Sequence, residues 1–495
     1  MLTTSELAVI LPLAIPAAAA CLLPIASLDR DQETVKWIRG SMFAIALFAL
    51  AGSFLYVTRL WGTRMQPSFG QVHLDFLAQL AAIFILVTAA LAVLQLWDHL
   101  HQEGWVKGET LSLLMFSVTG MLVFTATTNL IVIFLGLELL SVPLYALTAT
   151  VRQRADALEG GMKYFITGAV ASACFLMGSV LLYGMTGSFE IIEIGRKLST
   201  HPDTLALAGA ALVLVGFLFK VSGVPFHQWT PDAYEASPHP IAGFMSVATK
   251  GAAFIVLLRM FPAGLSASPD MALKFKAALA IAAALTMIVG NLTALAQSSV
   301  KRMLAYSSIS HAGYLLLGLV AGTQDAYVGM LYYLFAYMAM NMGAFGLLTA
   351  LGLVGDRCGF EHLRGLGWKR PGLGIAATLC MFSLAGIPPT GGFYGKYMIF
   401  KELIQTGHVG LAVLGVLASL VSVYFYLRVV VALFLEKPTE AAEREAAERP
   451  EVVAPYAGAT VLVCGFLVVA IGFAQTLMVD GFALRAIKDS LHFMP

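Results

Sequence analysis

Apolar residues run along this chain in blocks of roughly 20, separated by short polar connections, and a helix of that length crosses the hydrocarbon core of a bilayer. The blocks predict spans over 5–26, 40–61, 74–97, 110–127, 129–150, 160–186, 203–225, 239–262, 272–296, 301–321, 327–354, 373–405, 409–435 and 453–479. The expected fold is an all-α integral membrane protein with about fourteen transmembrane helices. The opening stretch MLTTSELAVILPLAIPAAAACLLPIA carries no basic residue ahead of its apolar run, so it reads as a first membrane helix rather than a cleaved signal. The long polar connection, EKPTEAAEREAAERPEV (436–452), reads as a solvated loop or short surface helix.

Two blocks are interrupted in the same way, FKVSGVPFHQW (219–229) and SLAGIPPTGGFYGKY (383–397). Each holds Gly, a β-branched residue and Pro, so each helix is expected to break within the membrane. A pair of broken helices, one in each half, is the pattern of an inverted repeat with ion sites at the breaks. The competing reading is that proline merely kinks two packed helices.

Composition agrees with the pattern. The 495 residues are 59% hydrophobic and 12% charged, with mean hydropathy +0.82, whereas soluble domains carry about 25% charged residues. A net charge of +1 leaves no basic surface for nucleic acid. The five cysteines (Cys21, Cys174, Cys358, Cys380 and Cys464) have no C-x-x-C spacing. They read as small core hydrophobes, not a disulfide frame or iron–sulfur ligand set. Loop cations favour both termini outside: fifteen fall in connections of the cytoplasmic side (Arg30 to Arg449, Arg154 and Lys301 among them). Ten fall in outer ones (Arg59 to Lys488, Arg259 among them).

The remaining basic residues, Lys163, Lys220, Lys250, Lys396 and Arg428, lie within predicted spans, and Glu138 sits in the apolar run IVIFLGLELLSVPLY (131–145). A charge at a helix centre costs about 2.5–3.5 kcal/mol, so such residues need partners or water. A structural ion pair or a side chain snorkelling to the interface is the bland alternative, strongest for Lys163 near the start of its span. Burial weakens a lysine's hold on its proton and a nearby carboxylate strengthens it. A Glu–Lys pair whose separation changes is thus a proton switch, the role expected of Glu138.

The histidines weigh differently. His311, within AYSSISHAGY (305–314), is placed to relay protons between Lys250 and Lys396, with a hydrogen-bonded core histidine as the alternative. His227 and His239 flank WTPDAYEASP (229–238) and read as loop residues at the membrane face. WDHLH (97–101) offers close histidines but no further ligand, which argues against a metal. GLGIAA (372–377) matches a loose dinucleotide fingerprint but opens an apolar helix with no strand before it.

Five motifs, FLGLELLSVPLYALTA (134–149), KYFITGAVASACFLMGSVLLYGMTGS (163–188), FHQWTPDAYEASPHPIAGFMSVATKGAAF (226–254), KRMLAYSSISHAGY (301–314) and LAGIPPTGGFYGKY (384–397), carry a resemblance. Together they resemble the subunit N family of bacterial complex I, the antiporter-like membrane subunit of NADH:quinone oxidoreductase. The resemblance runs the length of the chain and implies proton translocation in a bacterial inner membrane beside other complex I membrane-arm subunits. It implies no cofactor in this chain; FMN and iron–sulfur clusters belong to partner subunits, with NADH and quinone as substrates. It also implies three N-terminal helices over 1–109, inverted five-helix repeats over 110–262 and 272–435, and a polar loop with the last helix over 436–495. By the same resemblance Glu138 pairs with Lys220 and Lys163 modulates it. Lys250 is the central lysine and Lys396 the terminal one, where the sister subunit M carries Glu. His311 is the weaker carry-over. Mrp-type cation/proton antiporter subunits and membrane-bound hydrogenase subunits are the competing relatives.

Overall fold

Helix follows helix because nearly every block is long and apolar, and the side chains of Asn129, Ser268, Ser299 and Thr323 cap four of the helix starts. The computed structural model describes residues 4–26, 32–63, 65–68, 71–102, 108–151, 153–200, 204–265, 268–353, 358–438 and 454–491. The loop cations Arg30, Arg64, Lys107, Arg152, Arg357, Arg444 and Arg449, and the polar connection from residue 439 onward, lie outside the described residues.

The chain opens with α1 (Thr4–Ala26) and α2 (Gln32–Arg59), then a two-stranded antiparallel hairpin of β1 (Met65–Ser68) and β2 (Val72–Leu74). Next come α3 (Phe76–Gln102), α4 (Gly108–Thr125), α5 (Leu130–Thr148), α6 (Ala155–Thr186) and the short α7 (Ile191–Thr200). The first broken span is α8 (Thr204–Val221) followed by α9 (Trp229–Ala236). It leads into α10 (His239–Gly264), α11 (Pro269–Leu295), α12 (Val300–Ala321) and α13 (Gln324–Ala350). The second broken span is α14 (Pro371–Ala385) with α15 (Gly391–Gln405), before α16 (Val409–Phe434), α17 (Pro455–Phe473) and α18 (Leu484–Leu491).

Twelve helices among the described residues are long and apolar enough to cross a membrane. The apolar part of α1 and the α14–α15 pair supply the other two of the fourteen expected spans. This is a multi-pass membrane protein. The hairpin and α7 were not legible as elements in the apolar pattern.

Both breaks form as expected, and both end their first half-helix in the same cap. Ser222 (φ 63°) and Gly386 (φ 86°) adopt left-handed backbone. The next residue then reaches back five positions, Gly223 N to Leu218 O (2.7 Å) and Ile387 N to Phe382 O (2.9 Å). The prolines follow these caps and stop the helix from resuming.

Asn129 caps α5 and Ser299 caps α12, and each cap also pairs with a distant strand-like segment. Asn129 bridges to Glu190 and Ser299 to Gly359. The flanking amides complete the lacing: Leu130 N to Phe189 O (2.9 Å), Ile191 N to Thr128 O (3.1 Å), and Val300 N to Cys358 O (2.7 Å).

Helices α10, α12 and α13 form the buried centre, while α6, α11 and α16 leave much of their length uncovered. Their outward residues, among them Phe165, Val170, Ile281 and Leu420, are apolar, as lipid contact requires. The crossing of α4 with α5 is close enough to demand glycine. A Cβ on Gly136 would stand 2.7 Å from Phe124 N, and one on Gly120 would collide with the Leu140 backbone.

Candidate functional site

Glu138 stands two turns into α5, held against α4 by that glycine crossing. Its Oε1 accepts a hydrogen bond from Ser172 of α6. Lys220 lies in the last turn of α8, 1% exposed, and donates to Ser141 Oγ at 2.8 Å. It also reaches Tyr164 Oη at 3.4 Å. Glu138 and Lys220 thus stand apart here, with no direct ion pair between them. Each charge is held by a serine, and Ser141, Ser172 and Lys220 line one small cavity with Tyr145 and Phe219.

Lys163, on the same α6, points elsewhere. Its ammonium bridges Glu159 (2.7 Å) and Asp232 of α9 (2.8 Å), and it is half exposed. Asp232 is shared with Arg302 of α12 at 2.9 Å. The link from α6 to Lys220 runs through the neighbouring residue, Tyr164. Tyr164 stacks on Trp229 (4.3 Å between centroids), Trp229 meets Tyr234 edge-on (6.2 Å), and Lys250 Nζ lies 5.7 Å from the Tyr234 ring. Aromatic rings thus fill the space between Lys220 and Lys250.

Lys250 follows a π-helical stretch, Met245–Thr249, where α10 widens by one residue. It is 2% exposed and donates to Ser308 O (3.0 Å) and Ser308 Oγ (2.8 Å). Ser308, His311 and Tyr314 recur every three residues and so share one side of α12. His311 is fully buried; Nδ1 meets Tyr333 Oη at 2.5 Å and Nε2 meets Tyr426 Oη at 2.9 Å. Tyr314 presents its ring to Lys396 Nζ at 4.7 Å. The helix therefore places His311 between Lys250 and Lys396, with tyrosine hydroxyls as its direct partners.

Lys396 shows what the second break is for. Breaking the helix leaves free carbonyls at the end of α14, the negative end of its dipole. The ammonium, 4% exposed, donates to two of them, Leu384 O (3.0 Å) and Ala385 O (3.4 Å), and to Ser419 Oγ of α16 (2.9 Å). It sits at the base of a crevice of about 680 Å³ between α15 and α16, walled by Phe393, Tyr397, Phe400 and Leu420. Arg428, by contrast, donates to Gln297 O (3.2 Å) and lies over the Phe360 ring (3.9 Å), an anchor for the end of α11.

Three residues assigned to loops are buried. His239 begins α10 and bonds the Leu353 carbonyl, because the polar SPHP sequence forms a helix start under α13. Lys301 turns inward to donate to Glu235 O (2.8 Å) and Ser237 O (2.5 Å). Arg259 makes a two-pronged pair with Asp75, 2.6 and 2.8 Å, at the foot of α3. The hydroxyl partners were missed as well. Ser141 lies one turn from Glu138, a spacing that could have drawn attention to it.

Residues 127–422 match the family described as NADH:quinone oxidoreductase/Mrp antiporter, transmembrane. The chain is 42% identical over 406 residues to the NADH-quinone oxidoreductase subunit N of Trichlorobacter lovleyi, covering 81% of this chain and 82% of that one. This chain belongs to the subunit N family. A chain of respiratory complex I from Thermus thermophilus superposes with a TM-score of 0.78 at 34% identity, covering 96% of this chain and 99% of that one. A chain of the Mrp complex from Dietzia sp. has the same fold, with a TM-score of 0.82 at 20% identity, covering 98% of each. The fold is thus shared with the Mrp relatives, and the sequence places this chain with subunit N.

Proposed function

We propose that this subunit N chain carries protons across a bacterial cytoplasmic membrane as part of an NADH:quinone oxidoreductase. The proton line comprises Glu138, Lys220, Lys250, His311 and Lys396, with Lys163 acting on Lys220 through Tyr164. NADH oxidation and quinone reduction belong to partner subunits, which hold the FMN and iron–sulfur clusters. This chain contributes a path for protons beside other membrane-arm subunits.

One observation carries the reading. Lys250, Ser308, His311, Tyr314 and Lys396 form a polar file through the buried centre of an otherwise apolar bundle. Charges at that depth are costly, and a purely structural core has no use for a file of groups that can exchange protons. Each proton moved against the membrane potential requires about 2.3 kcal/mol per 100 mV, and a changed distance between two buried charges supplies energies of that order.

The paired caps and bridges support a repeat of five spans, α4–α10 and α11–α16, inverted in the membrane, over 110–262 and 272–435. The loop-charge bias supports termini on the outer side.

The test is Lys250→Met in the assembled complex. Methionine keeps the stem and deletes the charge. Pumping and quinone-coupled NADH oxidation should collapse while NADH oxidation by an artificial acceptor upstream of quinone survives. Normal pumping by an assembled Lys250→Met complex would reject the file as a proton route.

A further inference from the structure

At the face where α3 ends and α10 begins, two histidines outside the proton file are buried together. His99 is 3% exposed and His239 is 1% exposed, with ring centroids 5.6 Å apart. His239 Nε2 is bonded to the Leu353 carbonyl, which can only accept, so that nitrogen carries the proton. Nδ1 is then a free lone pair, and both His239 Nδ1 and His99 Nδ1 lie buried without a protein partner.

These two atoms are not isolated cases. On α3, Gln102 stands one turn beyond His99, and its Oε1 is also buried and unpartnered. On α13, Thr349 Oγ1 and Asn341 Oδ1 are in the same condition, two turns apart on one side of the helix. Asn341 in turn donates to Ser246 Oγ (2.5 Å), within the widened turn of α10, and meets Tyr337 Oη at 3.0 Å. Tyr337 neighbours Ser308, the residue that holds Lys250. Buried polar atoms lacking protein partners take water. Here they mark a trail from the end of α3 to the centre of the proton file.

We infer that the His99–His239 pair is the proton-uptake relay of this chain, loading the Lys250 file from the cytoplasmic face through the Asn341–Tyr337 side of α13. The inference rests on the proposed function. A proton arriving as hydronium forms an N–H bond at His239 Nδ1, giving an imidazolium and leaving a water. Release of that proton from the same atom to the next water restores the neutral ring, so nothing else is consumed. The groups facing the pair are Lys301 of α12, Arg154 ahead of α6 and the Cys358 thiol, 3.8 Å from His239 Nε2. Asp98, next to His99, is turned away to accept from Ala457 N at 2.7 Å.

The test uses the whole complex in inverted vesicles, whose outer face is the cytoplasmic one. His239→Gln keeps a donor for the Leu353 carbonyl and removes the basic nitrogen; His99→Gln/His239→Gln removes both. Proton pumping is measured across pH and normalised to assembled complex, with and without imidazole buffer outside. A relay matters most where protons are scarce, so the double variant should lose about ten-fold at about pH 8 and much less at about pH 6. External imidazole should restore part of the loss. Unchanged pumping overturns the inference. A loss that is equal at every pH and indifferent to imidazole assigns the pair to structure and overturns it too. Lys250→Met in the same assay separates the two claims: if it pumps normally the proposed function fails, and if only the histidine variants pump normally the uptake site alone fails.

Discussion

Glu138 and Lys220 do not touch: Ser172 donates to the carboxylate, Lys220 donates to Ser141, and both serines line one small cavity with Lys220. A pair separated by serines is poised to change its separation, because hydroxyls exchange partners by rotating.

Glu138→Ala should lower both pumping and quinone-coupled turnover and spare electron transfer to an upstream acceptor. Ser141→Ala should impair pumping to a lesser degree, since it removes a hydrogen bond to a charged group worth about 1.5–3 kcal/mol while both charges stay. Both variants are compared at equal assembly. Wild-type pumping in Glu138→Ala would leave that carboxylate a structural role only.

Lys163 and Arg302 share Asp232, which ties α6 to α12 through α9. Asp232→Asn should therefore disturb the protein more than Lys163→Met, because it leaves Arg302 without its carboxylate and Lys163 with Glu159 alone. Assembly yield and pumping of the two variants, measured side by side, check the order. The reverse order would give Lys163 a task of its own beyond this bridge.

Lys396 is held by the open end of α14, and a titratable substitute should keep part of its function. Lys396→Glu is expected to retain partial activity with an altered pH profile, whereas Lys396→Ala should be worse at equal assembly. A glutamate there meets two carbonyls and a single hydroxyl donor, Ser419, so its activity should stay below wild type. If alanine matches glutamate across pH, the outward release of protons does not pass through this position.

The Asp75–Arg259 pair is buried on both sides, at 5% and 7% side-chain exposure. Arg259→Met strands the carboxylate and should cost about 3–5 kcal/mol of stability. Adding Asp75→Leu should recover much of it, though not all, because Asp75 Oδ1 also accepts from Ala78 N (2.8 Å) at the start of α3. Thermal unfolding in mild detergent checks both; equal losses in the single and double variants would mean that the cap, not the pair, carries the stability.

What could be read in advance was whatever the chain encodes locally. Span lengths follow from apolar runs, and the breaks follow from Gly and Pro within a few residues of one another. Glu138, Lys220, Lys250 and Lys396 stand out because a charge in an apolar run has few explanations. Their partners do not stand out, since Ser and Tyr occur throughout membrane helices and only folding decides which hydroxyl meets which charge. Asp75 and Arg259 are 184 residues apart, and nothing near either one announces the other. His239 and Lys301 were misplaced for a related reason. They lie at helix starts beside polar residues, where a buried side chain satisfied by backbone carbonyls looks like a loop residue.

The two laced caps have a mechanical consequence. Spans α5 and α12 run in opposite directions, so the Asn129–Glu190 clasp and the Ser299–Gly359 clasp fasten the bundle at opposite faces. The contacts agree, since Lys301, two residues from Ser299, reaches Ser237, whose hydroxyl bonds Thr148 at the far end of α5 (3.2 Å). Each half therefore carries its own clasp at the start of one long span, and the two clasps are set head to tail. A tilt of α5 that strains the Asn129 clasp thus acts at the face away from the Ser299 clasp, and the reverse holds for α12.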